Sequence, residues 1–186
     1  VGKKVEEKKV PVLVVSNPND ILYDLLNNFY NQPISNFKTI GITGTDGKTT
    51  VSTILKDMTD GASIGTNGLI YDDEVFSLDN TTPSLEKLFD CFDKISRNKK
   101  EYVFMEISSE AYLTKRIPKL SFDISVFTDI TSEHIDKHKT FDNYFNCKMQ
   151  LISNSNVAII NHDSKYFDEV RKVNDNYRTY GFIESD

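Results

Sequence analysis

The sequence is poor in cysteine, has no excess of positive charge and contains no long apolar run. Two cysteines, Cys91 and Cys147, are too few for a disulfide framework and lack CxxC spacing, which fits a protein of the reducing cytoplasm. Twenty-two Lys and Arg stand against 28 Asp and Glu, a formal net charge of −6. That balance argues against nucleic acid as a partner, because such binding needs a dense basic face to displace counterions. No segment approaches the roughly 20 apolar residues of a membrane span. The start, Val1-Gly-Lys-Lys, has no apolar core of a secretory signal. It also lacks an initiator Met, which fits a processed chain or a piece of a longer one. What is present is a 38% hydrophobic and 11% aromatic composition over 186 residues, enough for a core in one medium domain or a domain with an appended piece.

Residues 2–9 carry mixed charge and read as a solvated terminus, and the β-branched run Val10–Val15 reads as a short strand. Asn19 or Asp20 is placed to cap a helix over Ile21–Tyr30, whose Leu22, Leu25, Leu26 and Phe29 recur at helical spacing, and Asn31-Gln32-Pro33 ends it. A strand from Phe37 leads into a glycine loop at 44–47 and a helix through Met58. Short strands follow at Ser63–Gly65 and Leu69–Leu78, with Asp72-Asp73 as a hairpin turn. Ser84 caps a helix with Leu85, Leu88, Phe89, Phe92 and Ile95 on one face. Glu101–Ile107 and Phe122–Phe127 are strands, each followed by a polar loop. A helix over Phe141–Ile152, a strand at Val157–Ile160, a helix near Tyr166–Val173 and a strand near Arg178–Phe182 complete the pattern. This alternation predicts an α/β fold with a mostly parallel sheet covered by helices on both faces. Ligands of such sheets sit at the C-terminal ends of the strands, so polar residues there are the candidates.

Thr43-Gly44-Thr45-Asp46-Gly47-Lys48-Thr49-Thr50, between a strand and a helix, carries the most chemistry. Glycines let a backbone curl its N–H groups around phosphate oxygens, and the helix N-terminus adds a positive dipole. Lys48 is placed to neutralise β/γ-phosphate charge and Thr49 to offer a hydroxyl to Mg²⁺. The spacing departs from a strict GxxxxGK[ST], since Ile42 stands where the first glycine belongs, and the acidic Asp46 is unusual in an anion-binding loop. An ordinary glycine-rich turn is the plain alternative. A second acid for the metal is offered at two strand ends, by Glu106 and by Asp129. His134 and His138 have the spacing of a zinc pair on one helical face, but Ile135 stands where a metalloprotease needs Glu. Taken alone, these histidines, Arg116 and Lys148 read as surface or core-satisfied groups.

Taken in order, TGTDGKTT at 43–50, Asn80-Thr81-Thr82-Pro83, Glu106-Ile107-Ser108-Ser109, Arg116, FTDITSEHIDKH at 127–138 and YFNCK at 144–148 are similar to the motifs of the Mur ligases. The resemblance runs from about residue 10 to the end. NTTP and EISS bring it nearest to the UDP-N-acetylmuramyl-dipeptide ligases of the MurE type, and away from a sibling such as folylpolyglutamate synthetase. The resemblance implies the P-loop central domain of such a ligase, incomplete at its C-terminal end. Residues 1–34 then correspond to the tail of an N-terminal UDP-binding domain with its linker, and 35–186 to the central ATP-binding domain. The implied reaction is ATP-dependent amide formation in peptidoglycan synthesis. The carboxylate of UDP-N-acetylmuramoyl-dipeptide takes the γ-phosphate to give an acyl phosphate, from which the amine of a free amino acid displaces phosphate.

By the same resemblance Gly44, Thr45, Asp46, Gly47, Lys48, Thr49 and Thr50 hold the ATP phosphates, and Asn161 lies on the adenine side. Thr49 and Glu106 hold one Mg²⁺, and His134 with Lys148 a second, Lys148 being carbamylated by CO₂. Asn80, Thr81, Thr82, Ser108 and Arg116 grip the UDP-sugar-peptide. The chain departs from the common family pattern at Asp46, Glu110, Thr114 and Glu133. The further family domain that chooses the amino acid is absent from these residues, so the piece is expected to be inactive by itself. A standalone nucleotide-binding or regulatory module is the alternative from another functional class.

Overall fold

A computed structural model describes residues 12, 14–16, 18–131 and 135–182. Its centre is an eight-stranded sheet. The strands are β1 (Lys38–Thr43), β2 (Ala62–Gly65), β3 (Gly68–Tyr71), β4 (Glu74–Phe76), β5 (Tyr102–Glu106), β6 (Phe122–Phe127), β7 (Ser155–Asn161) and β8 (Tyr177–Tyr180), in the spatial order β4-β3-β2-β5-β1-β6-β7-β8. The pairs from β2 to β8 are parallel, and only β3 and β4 turn back as antiparallel hairpins at one edge. The β3–β4 turn is Asp72-Asp73, with Asp72 at φ 48°, a left-handed position that Asp tolerates better than most residues.

The strand register explains the two faces. Ile40 and Ile42 of β1, Phe104 of β5, Ile124 and Val126 of β6 and Ile159 of β7 point to one face, where α2 (Lys48–Thr59) packs through Val51 and Leu55. Their neighbours point the other way, onto α3 (Leu85–Arg97), α6 (Phe141–Ser153) and α7 (Phe167–Val170). Helix α3 buries Leu85, Leu88, Phe89, Phe92 and Ile95 in one stripe; at about 1.5–3 kcal/mol per buried side chain, that face outweighs the helix's own propensity. Its N-cap is Ser84, whose hydroxyl accepts from Lys87 N–H. Gly41 lies under α6, where an added Cβ would stand 2.6 Å from Leu151, so the close approach of strand and helix depends on that glycine. On the α2 face an apolar groove of about 670 Å³ crosses β5, β1, β6 and β7 beside α2, lined by Ile40, Val51, Leu55, Phe104, Val126 and Ile159.

Three differences from the sequence-based expectation have physical reasons. Helix α1 (Pro18–Phe29) begins earlier, with Pro18 at its start, where a fixed φ and a missing N–H cost nothing; Asn19 and Asp20 fall inside its first turn. Half of the strand expected at 10–15 falls outside the described residues, and Val12 and Val14 are 50% and 86% exposed and not in a strand. β-Branched residues suit a pleated surface but do not supply a partner edge. The helices α4 (Ser109–Leu113) and α5 (Ile135–His138) appear in regions read as loops, each too short to show a helical period.

Candidate functional site

The C-terminal ends of β1, β2 and β5 open into a polar cavity of about 380 Å³. Strand β1 ends in Gly44–Gly47, and α2 follows at once. Gly44 has φ 151°, and a Cβ there would lie 1.8 Å from Thr128 Oγ1, so the loop passes against the end of β6 with no room for a side chain. Thr128 donates to Asp46 O at 2.6 Å, and Thr45 N–H donates to Asp129 O at 2.8 Å. Gly47, at φ 83°, is the N-cap of α2 and provides no capping side chain. The first-turn N–H groups of Lys48, Thr49 and Thr50 have no intrahelical acceptor, and they front the cavity together with the helix dipole.

Two lysines converge on this loop. Lys48 Nζ donates to Gly44 O at 2.9 Å and Thr45 O at 2.7 Å. Lys148, 3% exposed on α6, donates to Gly44 O at 2.6 Å and lies 4.6 Å from the centroid of the Tyr144 ring. Tyr144 OH in turn meets Thr45 Oγ1 at 3.1 Å. Helix α6 therefore sets the loop from below through Lys148 and Tyr144.

Of the two acids offered at strand ends, Glu106 reaches the loop. Its carboxylate is 2% exposed and accepts from Thr49 Oγ1 at 2.7 Å, Thr66 N–H at 3.1 Å and Thr66 Oγ1 at 3.1 Å. Three donors of this kind offset the desolvation of a buried carboxylate. The bend is possible because residue 65 is glycine: an added Cβ would stand 2.0 Å from Glu106 Oε1. Asp129 turns away, its Oδ1 accepting from Ser164 Oγ at 2.7 Å. Among the described residues no three His, Cys, Asp or Glu side chains converge as a metal cage. Glu106 and Thr49 supply two hard oxygens beside a phosphate loop, the protein share suited to a Mg²⁺ that keeps waters and phosphate oxygens as its other ligands. His134 lies outside the described residues.

On the far side of Glu106, Thr82 donates to Glu106 O at 2.9 Å and accepts from Ser108 N–H at 2.9 Å, while Arg116 donates to Thr82 O at 3.2 Å. Thr81 Oγ1 meets Thr66 Oγ1 at 3.1 Å. Thr81, Thr82, Ser108 and Arg116 are thus gathered into one arc next to Glu106, with Thr81 and Ser108 on the cavity wall. Asn80 is exposed and does not line the cavity. Asn161 ends β7, donates to Thr128 O at 2.8 Å and accepts from Asp163 N–H at 3.0 Å, so its amide braces the turn that shapes the phosphate loop.

Gly65, Thr66, Thr128 and Tyr144 acquire roles that the sequence reading does not give them. Gly65-Thr66 and Thr128 follow strand ends, a signal that could have found them. Thr128 and Tyr144 also stand inside the quoted stretches 127–138 and 144–148, where no role is assigned to them.

Residues 42–186 match the Mur ligase middle domain. The chain belongs to the Mur ligase family. It is 37% identical, over 186 residues and 95% of its length, to the UDP-N-acetylmuramoyl-L-alanyl-D-glutamate–2,6-diaminopimelate ligase 1 of Clostridium acetobutylicum. It is also 37% identical, over 164 residues and 83% of its length, to the corresponding L-lysine ligase of Enterococcus faecalis. The chain spans 39% and 32% of those Mur ligases' own lengths. A solved 2,6-diaminopimelate ligase of this kind superposes with a TM-score of 0.77 at 22% identity, covering 92% of this chain and 38% of that one. A folylpolyglutamate synthase/dihydrofolate synthase from Yersinia pestis gives a TM-score of 0.55 at 12% identity, covering 86% and 46%. At these identities the structural likeness is one of fold.

Proposed function

We propose that residues 35–186 are the ATP-handling part of a MurE-type ligase, and that residues 1–34 are the end of a preceding UDP-binding domain with its linker. The observation that carries this reading is the position of Glu106. One buried carboxylate touches the phosphate-loop residue Thr49 on one side, and its own carbonyl is tied to the Thr82–Ser108–Arg116 arc on the other. A site for nucleotide and a site for an anionic acceptor thus share one wall.

The chemistry follows from that adjacency. Lys48 and the first turn of α2 would hold the transferring phosphoryl group, and phosphoryl transfer is chiefly positioning and charge neutralisation. The acceptor carboxylate, held by Thr81, Thr82, Ser108 and Arg116, attacks the γ-phosphorus and ADP leaves. The incoming amine then attacks the acyl carbon, phosphate departs and the amine gives up its proton. Thr49 and Glu106 would hold Mg²⁺, which supplies charge neutralisation between two anionic reactants. In the working enzyme Lys148 would carry a carbamate, formed from its neutral amine and CO₂ with loss of a proton, and with His134 provide for a second Mg²⁺. An increment of about 44 Da on Lys148 in the intact protein is the mark of that modification.

Relatives named for diaminopimelate and for lysine match this chain at the same 37% identity, so the amino-acid pocket is assigned to the part of those ligases that this chain does not span. Action in the cytoplasm, where ATP is available, accords with the free thiols of Cys91 and Cys147.

The test is calorimetric titration of this chain with a non-hydrolysable ATP analogue and with UDP-N-acetylmuramoyl-L-alanyl-D-glutamate. Lys48→Ala is expected to weaken the nucleotide alone by about tenfold or more, and Arg116→Ala the sugar-peptide alone. Binding of nucleotide with no affinity for the sugar-peptide would favour a nucleotide-sensing module instead.

A further inference from the structure

At the mouth of the cavity Glu110, the second residue of α4, faces two cations. Its Oε1 accepts from Lys137 Nζ at 2.5 Å, and its Oε2 lies 3.9 Å from Arg116 Nη2. Lys137 belongs to α5. Arg116 is the cation of the acceptor arc, with its other nitrogen on Thr82 O. Glu110 also lines the cavity, and its Oε2 is paired with Arg116, so an anion that engages Arg116 from the cavity competes with that carboxylate. Beneath it a second tie joins the same two elements: Ser109 Oγ and His138 Nε2 meet at 2.9 Å, both residues buried.

We propose that Glu110 is an ionic latch, which joins α5 to α4 through Lys137 and pre-pairs Arg116, so that an anionic acceptor must displace it to engage Arg116. The ligand half of this proposal rests on the functional reading above; the latch half does not. Two properties follow. The segment 135–144 is held to α4 by a charge pair that an arriving carboxylate or phosphate breaks, which couples acceptor entry to release of that segment. Acceptor affinity is also set lower than Arg116 alone would give, because one anion is exchanged for another and the net gain is the difference between two pairings.

The experiment measures millisecond-to-second hydrogen exchange of the amides of 135–144 in the intact chain, for wild type, Glu110→Gln, Lys137→Met and the double variant. A latch predicts faster exchange in each single variant, by about two- to fivefold as befits a partly exposed ion pair, and no further increase in the double variant. Unchanged exchange in Glu110→Gln, or effects that multiply in the double variant, overturns it. In a parallel titration with UDP-N-acetylmuramoyl-L-alanyl-D-glutamate, Glu110→Gln is expected to bind about two- to fivefold more tightly than wild type. Weaker binding overturns the displacement of Glu110 by the ligand. If neither protein binds the sugar-peptide while exchange responds as predicted, the latch stands and the acceptor assigned in the preceding subsection is wrong.

Discussion

Glu106 can bring its carboxylate to Thr49 because the neighbouring strand ends in a residue with no side chain. Gly65→Ala would place a methyl group 2.0 Å from Glu106 Oε1 and 2.4 Å from its Cδ, so the carboxylate would have to shift from its place against Thr49 and Thr66. Overpacking of this kind costs about 1–3 kcal/mol. The expected outcome is a lowered urea midpoint together with loss of Mg²⁺-dependent nucleotide binding, read by the same two titrations. Lys48, Thr49 and Glu106 were legible because each type in that pattern has a chemical reason. Gly65 was legible only as a glycine at the end of a strand, which signals close approach without naming what approaches. Asp129 shows the limit from the other side. As a type and a strand-end position it matched Glu106 as a metal candidate, and only its hydrogen bond to Ser164 separates the two.

Helix α6 performs two tasks, closing the sheet through Leu151 and Ile152 and holding the phosphate loop through Tyr144 and Lys148. Its N-cap is Thr140, whose hydroxyl accepts from Asn143 N–H at 3.2 Å. Thr140→Ala is expected to cost about 1 kcal/mol, measured as a shift in the urea midpoint. Because the cap lies two turns before Lys148, nucleotide affinity should fall by less than the stability loss implies. A larger fall in affinity would mean that the cap, rather than the packed face, positions the lysine. The longer elements announced themselves by periodicity, as in the stripe of α3 and the apolar runs of β5 and β6. The short helices α4 and α5 did not, since four or five residues cannot display a 3.6-residue period. Helix α4 lines the cavity through Ser109 and Glu110, so one wall of the site was built where the sequence is hardest to read.

For the molecule as a whole, burial makes alkaline pH the vulnerable side. Burial pushes the Cys91 thiol up from 9.0 to about 11, and it likewise raises the phenols of Tyr23, Tyr71, Tyr112 and Tyr180. The folded state then holds protons that the unfolded chain releases. The contribution of Cys91 is complete below pH 9 and is lost as pH rises to about 11, an effect of roughly 2–3 kcal/mol. Urea midpoints should therefore fall between about pH 9 and 11, and Cys91→Ala should flatten the fall. The central proposal is that the cavity at the strand ends would hold a metal-bound nucleotide on Thr49 and Glu106. Its most direct test is titration of the chain with a non-hydrolysable ATP analogue, with Mg²⁺ and with EDTA, for wild type and Glu106→Gln. The account predicts binding by wild type that weakens about tenfold or more without Mg²⁺, and a Glu106→Gln variant in which Mg²⁺ makes little difference. Equal affinity with and without Mg²⁺ in the wild-type chain, or no binding at all, would contradict it.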